Sequence, residues 1–442
     1  MSAPASPPST SLLRHPDFVR LWTGQTISQL GSQVSALAIP FVAIEILEAS
    51  TFQVALLGVI DFLPFLLIGL PAGVWVDRLR RRPVMIAGDL GRAVALATIP
   101  IAFLAGALTI VQLYVVGFVV GVLTVFFDVA YQSYLPSLVA RDQLQEGNAK
   151  LEMSRAGAQV VGPGLAGILI GALRAPLAVV VDALSFLGSA LFLLLIRRPE
   201  PAPVAHLEDG QPKPGMRREM AEGLRYVLGH AYLKNIAACT AIGNLFGNVA
   251  GAVLLVFAVR ELGMSAAAIG IAFSIGATGA LLGAVMSNRV SNRLGVGPTI
   301  IVFAGISGPA LMPLALVPAG TSTPVLVALA ALFAFVAGVA AVVYNVAQVS
   351  LRQAITPARM QGRMNATMRW FVWGTIPVGG VLGGALGTVL GVREAIVIGA
   401  LGEMAAVLPV LFSPVRRIRE MPAPVEDEVS ADGPPDEEPA AP

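Results

Sequence analysis

Runs of apolar residues recur along the whole chain and are separated by short segments that contain charged residues, proline or glycine. Each run has about 20 residues, which is the length at which a helix crosses the hydrocarbon layer of a membrane. The pattern therefore predicts an all-α membrane protein with twelve transmembrane helices, called spans 1 to 12. The predicted spans cover residues 18–46, 52–76, 83–105, 110–138, 149–173, 176–196, 233–259, 266–288, 297–318, 323–352, 362–390 and 395–413.

Basic residues are distributed unevenly between the two sides of this layout. If the N-terminus is cytoplasmic, the outer ends of the spans carry only Arg174, Arg260 and Arg393. The inner segments carry most of the other arginines and lysines, including the run RLRRR that begins at Arg78. Cytoplasmic segments of membrane proteins are enriched in Lys and Arg. We therefore predict that both termini are cytoplasmic.

The spans and the breaks between them divide the chain into five segments. Residues 1–13 are rich in proline and serine and are predicted to be a disordered tail. Residues 14–196 form a first six-span half, and residues 197–232 form a cytoplasmic linker. Residues 233–415 form the second half, and residues 416–442 form an acidic disordered tail.

The linker contains a helical pattern. Met216, Met220, Leu224 and Val227 recur at helical spacing, and arginines and glutamates occupy positions between them. This predicts an amphipathic helix that lies on the inner surface of the membrane. An ordinary solvated linker helix is the alternative, and the sequence leaves both interpretations open.

The two halves share a repeated pattern. A shift of 217 positions places FDVAYQS, which begins at Phe127, over YNVAQVS, which begins at Tyr344, so that Asp128 overlays Asn345. The same shift aligns Gly162 with Gly379 and continues through spans 5 and 11. Parallel repeats of six spans predict two pseudo-symmetric six-helix bundles, an arrangement that permits rocking around a central site.

Composition limits the possible chemistry. Of the 442 residues, 56% are hydrophobic and only 13% are charged, against about 25% charged residues in soluble domains. The single cysteine, Cys239, excludes an intramolecular disulfide and a cysteine metal cluster. The sequence has neither a His-Glu-x-x-His helix nor a phosphate-binding Gly-x-x-x-x-Gly-Lys-Ser/Thr loop. We therefore predict no cofactor, no metal, no nucleic-acid partner and no enzymatic activity.

Several motifs resemble those of one transporter family. GVWVDRLRRRP, from Gly73 to Pro83, resembles the loop signature Gly-x-x-x-Asp-Arg-x-Gly-Arg-Arg of the major facilitator superfamily, with Arg80 in place of the glycine. RAGAQVVGPGLAG in span 5 is similar to the Gly-Pro motif of its drug–proton antiporters. DLGRA after the loop and MNATMRWFVWGTIPVGGVLGG in span 11 resemble the branch of enterobactin exporters and macrolide efflux proteins.

The resemblance implies a gate at the inner ends of the spans. Gly73 would let span 2 approach a neighbour, and Asp77 would lie near the start of span 11, where the helix dipole favours an anion. Arg78, Arg81 and Arg82 would add contacts between the halves. The alternative is that this arginine run only anchors the inner side. By the internal repeat, we also predict a counterpart contact between Arg289 and Glu152.

A second group of polar residues is predicted to lie within the spans, where an unpaired charge is costly. Asp61 in span 2 and Asp128 in span 4 are the candidates for proton binding. Asp89 and Arg92 in span 3 are interpreted as a structural brace, and Asp182 in span 6 as a packing contact. The candidates for substrate or proton binding are Asp61, Asp128, Arg155, Asn345, Arg369, Gln29 and Asn244.

The resemblance also implies a function. We expect a monomeric secondary transporter in the bacterial cell membrane that exports a small amphipathic compound, such as a drug or siderophore, in exchange for protons. Its partners would be that small molecule, protons and membrane lipid. An uptake permease of the same fold is one alternative, and a receptor or scaffold that does not transport is another.

Overall fold

The computed structural model describes residues 12–200, 216–318 and 320–423, and all regular elements in these ranges are helices. Most of the two predicted tails and the first part of the linker lie outside the described residues, as do some side chains, including that of Asp77. The α-helices are α1 (Pro16–Phe41), α2 (Thr51–Asp77), α3 (Arg81–Leu104), α4 (Ile110–Leu138), α5 (Leu144–Leu173), α6 (Ala175–Leu195), α7 (Met216–Gly229), α8 (Leu233–Val256), α9 (Ala266–Leu294), α10 (Val296–Ala304), α11 (Ser307–Ala315), α12 (Thr323–Ala354), α13 (Ala358–Val389), α14 (Val392–Ala405) and α15 (Leu408–Leu411).

Within the described residues, 12 helical segments are long and apolar enough to cross a membrane. This confirms the predicted all-α fold with twelve spans. Spans 1 to 6 are α1 to α6, and spans 7 and 8 are α8 and α9. Span 9 consists of α10 and α11, spans 10 and 11 are α12 and α13, and span 12 consists of α14 and α15. The remaining helix, α7, belongs to the linker.

Spans 9 and 12 are each broken, which the apolar pattern does not predict. α10 ends at Ala304 and α14 ends at Ala405. A proline follows shortly after each end, Pro309 in one case and Pro409 in the other. Proline has no N–H to donate to the carbonyl four residues earlier, and its ring clashes with that carbonyl. Each break therefore falls where a proline prevents the regular hydrogen bond.

The two halves repeat the same packing scheme. α1 packs against α5 and α6, and its counterpart α8 packs against α13 and α14. α2 packs against α4 as α9 packs against α12. α3 packs against α4 and α6, and the two parts of span 9 together pack against α12 and α14. This equivalence confirms two pseudo-symmetric six-helix bundles.

The repeat extends to backbone detail where α1 and α8 end. A five-residue π-helical turn follows each helix, Val42–Ile46 in the first half and Phe257–Glu261 in the second. A residue with left-handed backbone comes next, Glu48 with φ 47° and Gly263 with φ 61°. A serine then caps the following helix in both halves. The backbone at this corner is therefore the same in both halves, position by position.

Contacts between the halves lie toward one side of the bundle. The helix α7 and the segments Leu12–Arg14 and Pro414–Arg417 lie on one side, called the linker side, and the contacts lie toward the opposite, far side. Between α5 and α9, the backbone N–H of Gly164 donates a hydrogen bond to Ser274 Oγ at 2.8 Å. Between α2 and α13, a Cβ placed on Gly384 would lie 2.7 Å from the Cβ of Ala55. Small residues permit such close approach of membrane helices.

Toward the linker side the same helices separate. Gly157 on α5 and Gly69 and Gly73 on α2 have, in the described part of the structure, no neighbouring atom within 4 Å of where a Cβ would lie. Met153 and Trp75, near the linker-side ends of these helices, are 69% and 53% exposed. The halves therefore meet at the far side and leave an opening toward the linker side.

The linker helix α7 is docked on the second half. Glu222 forms an ion pair with Arg363 of α13 at 2.8 Å, and Val227 is fully buried in a cluster that includes Leu233 of α8. Leu224 remains exposed. One edge of the apolar face of α7 thus binds protein, and the position of this helix on the inner membrane surface stays a prediction.

Replacing Gly223 with leucine is expected to release α7. A Cβ at this position would lie 2.8 Å from the carbonyl oxygen of Arg363 and 2.6 Å from Thr367 Oγ1, and overpacking of this kind costs about 1–3 kcal/mol. Trypsin should then cleave α7 at its arginines roughly tenfold faster in the purified protein. Gly229→Leu is the control, because no described atom lies within 4 Å of that Cβ position. Equal cleavage of both variants would contradict the docking.

Candidate functional site

α13 presents glycines to both halves of the protein. Gly379 and Gly383 contact α8 of the same half, whereas Gly380 and Gly384 contact α2 of the other half. Neighbouring residues in a helix point about 100° apart, because one turn takes 3.6 residues. One short stretch of α13 therefore supports its own bundle on one face and closes the far side with the adjacent face.

Arg260 also joins the two halves at the far side. It lies in the π-helical turn after α8, and its Nη2 donates to the backbone carbonyl of Ala49 in the other half at 2.6 Å. Arg393, which lies nearby, donates instead to the carbonyls of Ala315 and Val317 in its own half. Hydrogen bonds from charged groups contribute about 1.5–3 kcal/mol. Far-side closure therefore combines small-residue packing with one charge-assisted hydrogen bond between the halves.

We expect Arg260→Gln to weaken far-side closure. Loss of the bond should lower the ratio of closed to open protein roughly tenfold or more. The measurement is the rate at which a water-soluble maleimide alkylates Cys introduced at Val59, which is buried against α13, in a Cys239→Ser background. Arg174→Gln is the control, since Arg174 is an exposed far-side arginine. A Val59→Cys rate that is the same in both variants would contradict the role of Arg260.

The loop-signature residues do not join the halves in this conformation. A Cβ on Gly73 would have no atom within 4 Å in the described structure, so the close approach of a neighbouring helix stays a prediction for another conformation. Arg78 is exposed, and the side chain of Asp77 lies outside the described residues. Their gating role therefore stays a prediction for a conformation that is closed at the linker side.

Arg81 and Arg82 are bound within their own half. The backbone N–H groups of both residues donate to the carboxylate of Glu200 at 2.6 and 3.1 Å. The Arg82 guanidinium donates to the carbonyls of Leu193 and Leu194 at 2.9 and 2.8 Å. The predicted contacts of these arginines between the halves are not present in this conformation of the described chain. The Arg82 guanidinium binds the end of α6, and the Arg81 guanidinium lies 3.9 Å from the Glu200 carboxylate.

The predicted latch between Glu152 and Arg289 is also not formed here. Glu152 pairs with Arg155 at 3.1 Å, and both side chains are mostly exposed. Arg289 is exposed on α9 and forms no ion pair with Glu152 in the described structure. Because α5 and α9 separate toward the linker side, the two residues cannot meet until that side closes.

An aromatic contact joins α2 and α13 near the middle of both helices. The ring of Trp373 on α13 meets the ring of Phe62 on α2 edge-on, with centroids 6.1 Å apart. The guanidinium of Arg369 lies 4.3 Å from the Trp373 ring centroid. Asp61 precedes Phe62 and is exposed. Aromatic faces and a cation are thus available at this contact, which joins one helix of each half.

Three other predicted polar residues lie on different helices, Gln29 on α1, Asn244 on α8 and Asn345 on α12. Asn345 is exposed, and its Oδ1 accepts a hydrogen bond from Gln348 on the same helix at 2.9 Å. The backbone carbonyl of Asn244 accepts from Asn248 at 2.7 Å. Gln29 is partly buried, and its Oε1 has no hydrogen-bond partner among the described groups. Their roles in substrate binding therefore stay predictions.

A buried ionic cluster occupies the first half. Arg92 pairs with Asp89 at 2.5 Å, and the two side chains are 6% and 0% exposed. The Arg92 guanidinium lies between the rings of Phe127 and Phe186, at 4.4 and 4.1 Å from their centroids. Cation–π contacts of this type stabilise a desolvated cation by about 2 kcal/mol.

Two further carboxyl groups lie within electrostatic range of Arg92, those of Asp128 on α4 and Asp182 on α6. Sequence reasoning interpreted Asp182 as a packing contact and missed this neighbourhood. Ser185 and Ser189 follow Asp182 at helical spacing, and that polar stripe in an apolar span was the available signal. Among the described residues, no three His, Cys, Asp or Glu side chains are arranged to hold a metal ion.

Several known proteins are similar to this chain over most of its length. The major facilitator family described as "Transmembrane secretion effector" matches residues 8–433. The multidrug efflux pump Tap of Mycolicibacterium fortuitum is 27% identical over 439 residues, which covers 93% of this chain and 98% of Tap. The enterobactin exporter EntS of Salmonella choleraesuis is 26% identical and covers 94% of this chain and 97% of EntS.

A solved structure shares the fold. The inward-facing structure of a bacterial homologue of the iron transporter ferroportin superposes with a TM-score of 0.70 at 18% identity. The match covers 91% of this chain and 99% of the homologue. The same homologue in its outward-facing state gives a TM-score of 0.53.

Proposed function

Since this chain belongs to the transmembrane secretion effector family of the major facilitator superfamily, we propose that it exports a small amphipathic compound by alternating access. As a member of that family it is a multi-pass membrane transporter of small molecules and not an enzyme. Export, the substrate class, proton coupling, orientation and a monomeric state are parts of the proposal. The efflux and exporter functions named for Tap and EntS support export.

Orientation follows in this proposal from the distribution of basic residues. The linker side carries most of the arginines and lysines between the spans, as cytoplasmic segments do. We therefore assign the linker side to the cytoplasm and the far side to the exterior. The opening between the halves then faces the cytoplasm, where an exporter takes up its substrate.

The proposed class of substrate rests on the aromatic contact between Trp373 and Phe62. Their rings offer apolar faces, and the Arg369 guanidinium offers a positive charge next to one of them. Asp61 precedes Phe62 on α2 and is the proposed negative group. Sites for small molecules combine apolar surface with few polar groups. An amphipathic compound with a planar apolar part fits such a surface, with Gln29 and Asn244 as further polar contacts from α1 and α8.

Proton influx would supply the energy for export. At a membrane potential of 100 mV, each proton that enters contributes about 2.3 kcal/mol. Asp61 and Asp128 are the carboxylates predicted from the sequence for this exchange. In the proposed cycle, the linker side closes through Asp77, Arg78, Arg81 and Arg82 and through Arg289 with Glu152, while the far side opens.

Everted membrane vesicles test this function. Respiring vesicles that contain the protein should accumulate one or more members of a panel made of ethidium, a macrolide and a catechol siderophore, and a protonophore should abolish accumulation. Trp373→Ala should reduce accumulation at least tenfold. Trp370→Ala is the control, because that exposed ring contacts Phe371 of its own helix. Accumulation in right-side-out vesicles instead would indicate an uptake permease, and no flux of any panel member in either vesicle type would favour a receptor or scaffold.

A further inference from the structure

Asp182 is a buried carboxyl group without an adjacent cation. It is 2% exposed, on a helix that packs against both α1 and α3. In the described structure it forms no ion pair within 4 Å, and its Oδ1 contacts Ser185 Oγ at 3.1 Å and Ser32 Oγ at 3.5 Å. The absence of a side chain on Gly31 leaves the space for this contact, since a Cβ there would lie 2.8 Å from Oδ1.

The hydrogens available at this site indicate a protonated carboxyl group. Ser185 Oγ lies 2.8 Å from the backbone carbonyl oxygen of Asp182 and 3.1 Å from its Oδ1. A hydroxyl group has one hydrogen to donate, and a carbonyl oxygen only accepts. When Ser185 donates to the carbonyl, the contact with Oδ1 needs a hydrogen from the carboxyl group. A neutral Asp182 satisfies both contacts of Ser185, whereas a carboxylate leaves two acceptors to compete for the Ser185 hydrogen and has, in the described chain, only the longer 3.5 Å contact with Ser32 Oγ as a second donor.

The charges around the site lead to the same state. α3 contributes Arg92 and Asp89, α4 contributes Asp128, and α1 contributes only serines, Ser32 and Ser35. Arg92 therefore has three carboxyl groups in range, and its 2.5 Å ion pair is with Asp89. Arg155 acts on Asp128 as well, so Asp182 is the carboxyl group without a close cation in the described structure. An unpaired buried carboxylate costs several kcal/mol and normally takes up a proton.

Several buried polar atoms of the cluster have no hydrogen-bond partner in the described structure. Asp89 Oδ2 and Arg92 Nε are buried without a hydrogen-bond partner in the described structure, as are Ser35 Oγ and Ser189 Oγ. Buried polar atoms of this kind require an explanation. A metal ion does not explain them, since the described His, Cys, Asp and Glu side chains form no group of three that would hold one.

We infer that Asp182 is the residue that takes up and gives up the coupled proton, and that the conformation open to the linker side is its protonated state. The inference rests on the proposed proton-coupled transport. When the proton leaves the carboxyl group for water, the carboxylate that remains attracts Arg92, whose Nε has no hydrogen-bond partner in the described structure. Movement of α1 relative to α6 would admit that water, because Ser32 and Ser35 cover the site.

Infrared difference spectroscopy tests the protonation directly. Raising the pH of the purified wild-type protein should remove a C=O stretching band of a protonated carboxylic acid. Asp182→Asn should lack this band, and Asp128→Asn and Asp61→Asn should retain it. A band that persists in Asp182→Asn and disappears in one of the other variants would overturn the inference. This arm needs no substrate, so its outcome does not depend on the proposed function.

Transport in proteoliposomes tests the coupling, with a panel compound that the wild-type protein moves. Asp182→Asn should lose accumulation driven by a proton gradient at least tenfold while it retains exchange of labelled for unlabelled compound. Asp182→Glu should restore driven accumulation, which a purely structural role does not predict. Driven accumulation by Asp182→Asn at the wild-type rate would overturn the inference. Wild-type protein that moves no compound would contradict the proposed function instead, and the infrared result would then decide on Asp182.

Discussion

Gly167→Ala is expected to open the far side of the protein and to abolish transport. A Cβ on Gly167 would lie 2.9 Å from the Cα of Ala267 and even nearer to the carbonyl oxygen of Ala266. Both neighbours are backbone atoms at the start of α9, so no side chain can rotate away. Overpacking costs about 1–3 kcal/mol, which lowers the ratio of closed to open protein by roughly ten- to a hundredfold. One methyl group should thus change which conformation dominates.

Spin labels measure this shift. The labels are placed at Ala105 and Ser322, which are exposed at the far side, and in a second sample at Asp142 and Asn292, which are exposed at the linker side. In Gly167→Ala the far-side distance should lengthen and the linker-side distance should shorten. Gly157→Ala is the matched control on the same helix, because its Cβ position has no neighbour within 4 Å in the described chain. Unchanged distances in Gly167→Ala would show that this contact does not close the far side.

Arg92→Met is expected to destabilise the protein by about 3–5 kcal/mol, because removal of one partner leaves the other charge buried and unpaired. The partner is Asp89, whose side chain is 0% exposed. The double variant Asp89→Asn/Arg92→Met should recover most of this loss, since neither charge then remains. Thermal unfolding of the purified proteins measures the change.

Arg155→Met is the matched control for Arg92→Met. Glu152 and Arg155 have the same three-residue spacing as Asp89 and Arg92, but their side chains are 68% and 60% exposed. Exposed ion pairs contribute at most about 1 kcal/mol, so unfolding should change little. Equal losses of stability in Arg92→Met and Arg155→Met would show that burial of the Asp89 pair is not what makes it important.

The spans and their duplication could be predicted from the sequence, because apolar length and internal repeats are properties of the chain itself. The breaks in spans 9 and 12 could not be predicted, since prolines also occur inside helices that continue, such as Pro64 in α2. The docking of α7 was missed for a different reason. An amphipathic pattern gives the face that will be buried but not the partner, and Val227 meets that partner only after α8 and α13 have packed.

Within the candidate site, contacts inside one helix were easier to predict than contacts between helices. Asp89 and Arg92 are three residues apart on one helix, so their pairing follows from spacing. The proximity of Asp182 depends on how α6 packs against α1 and α3, and no local pattern contains that information. Contacts at Gly73, Arg81 and Arg289 were predicted for a conformation closed at the linker side, and the structure is open there.

The ionic cluster also breaks the symmetry of the two halves. Counted from the first residue of each helix, Asp182 of α6 corresponds to Gly399 of α14. Gly399 packs directly against Ala250 of α8, where a Cβ would lie 2.7 Å from the Cβ of that alanine. The second half therefore has tight apolar packing at the place where the first half has a carboxyl group and serines.

The two-sided arrangement of α13 affects how easily the protein changes shape. Gly380 and Gly384 meet α2 without long side chains that interlock, so these surfaces can part without waiting for rotamers to rearrange. Gly379 and Gly383 meanwhile hold α13 to α8, so the bundle that moves stays intact. A transporter must form and break this interface in every turnover. An interface without interlocking side chains keeps the kinetic barrier of that step low.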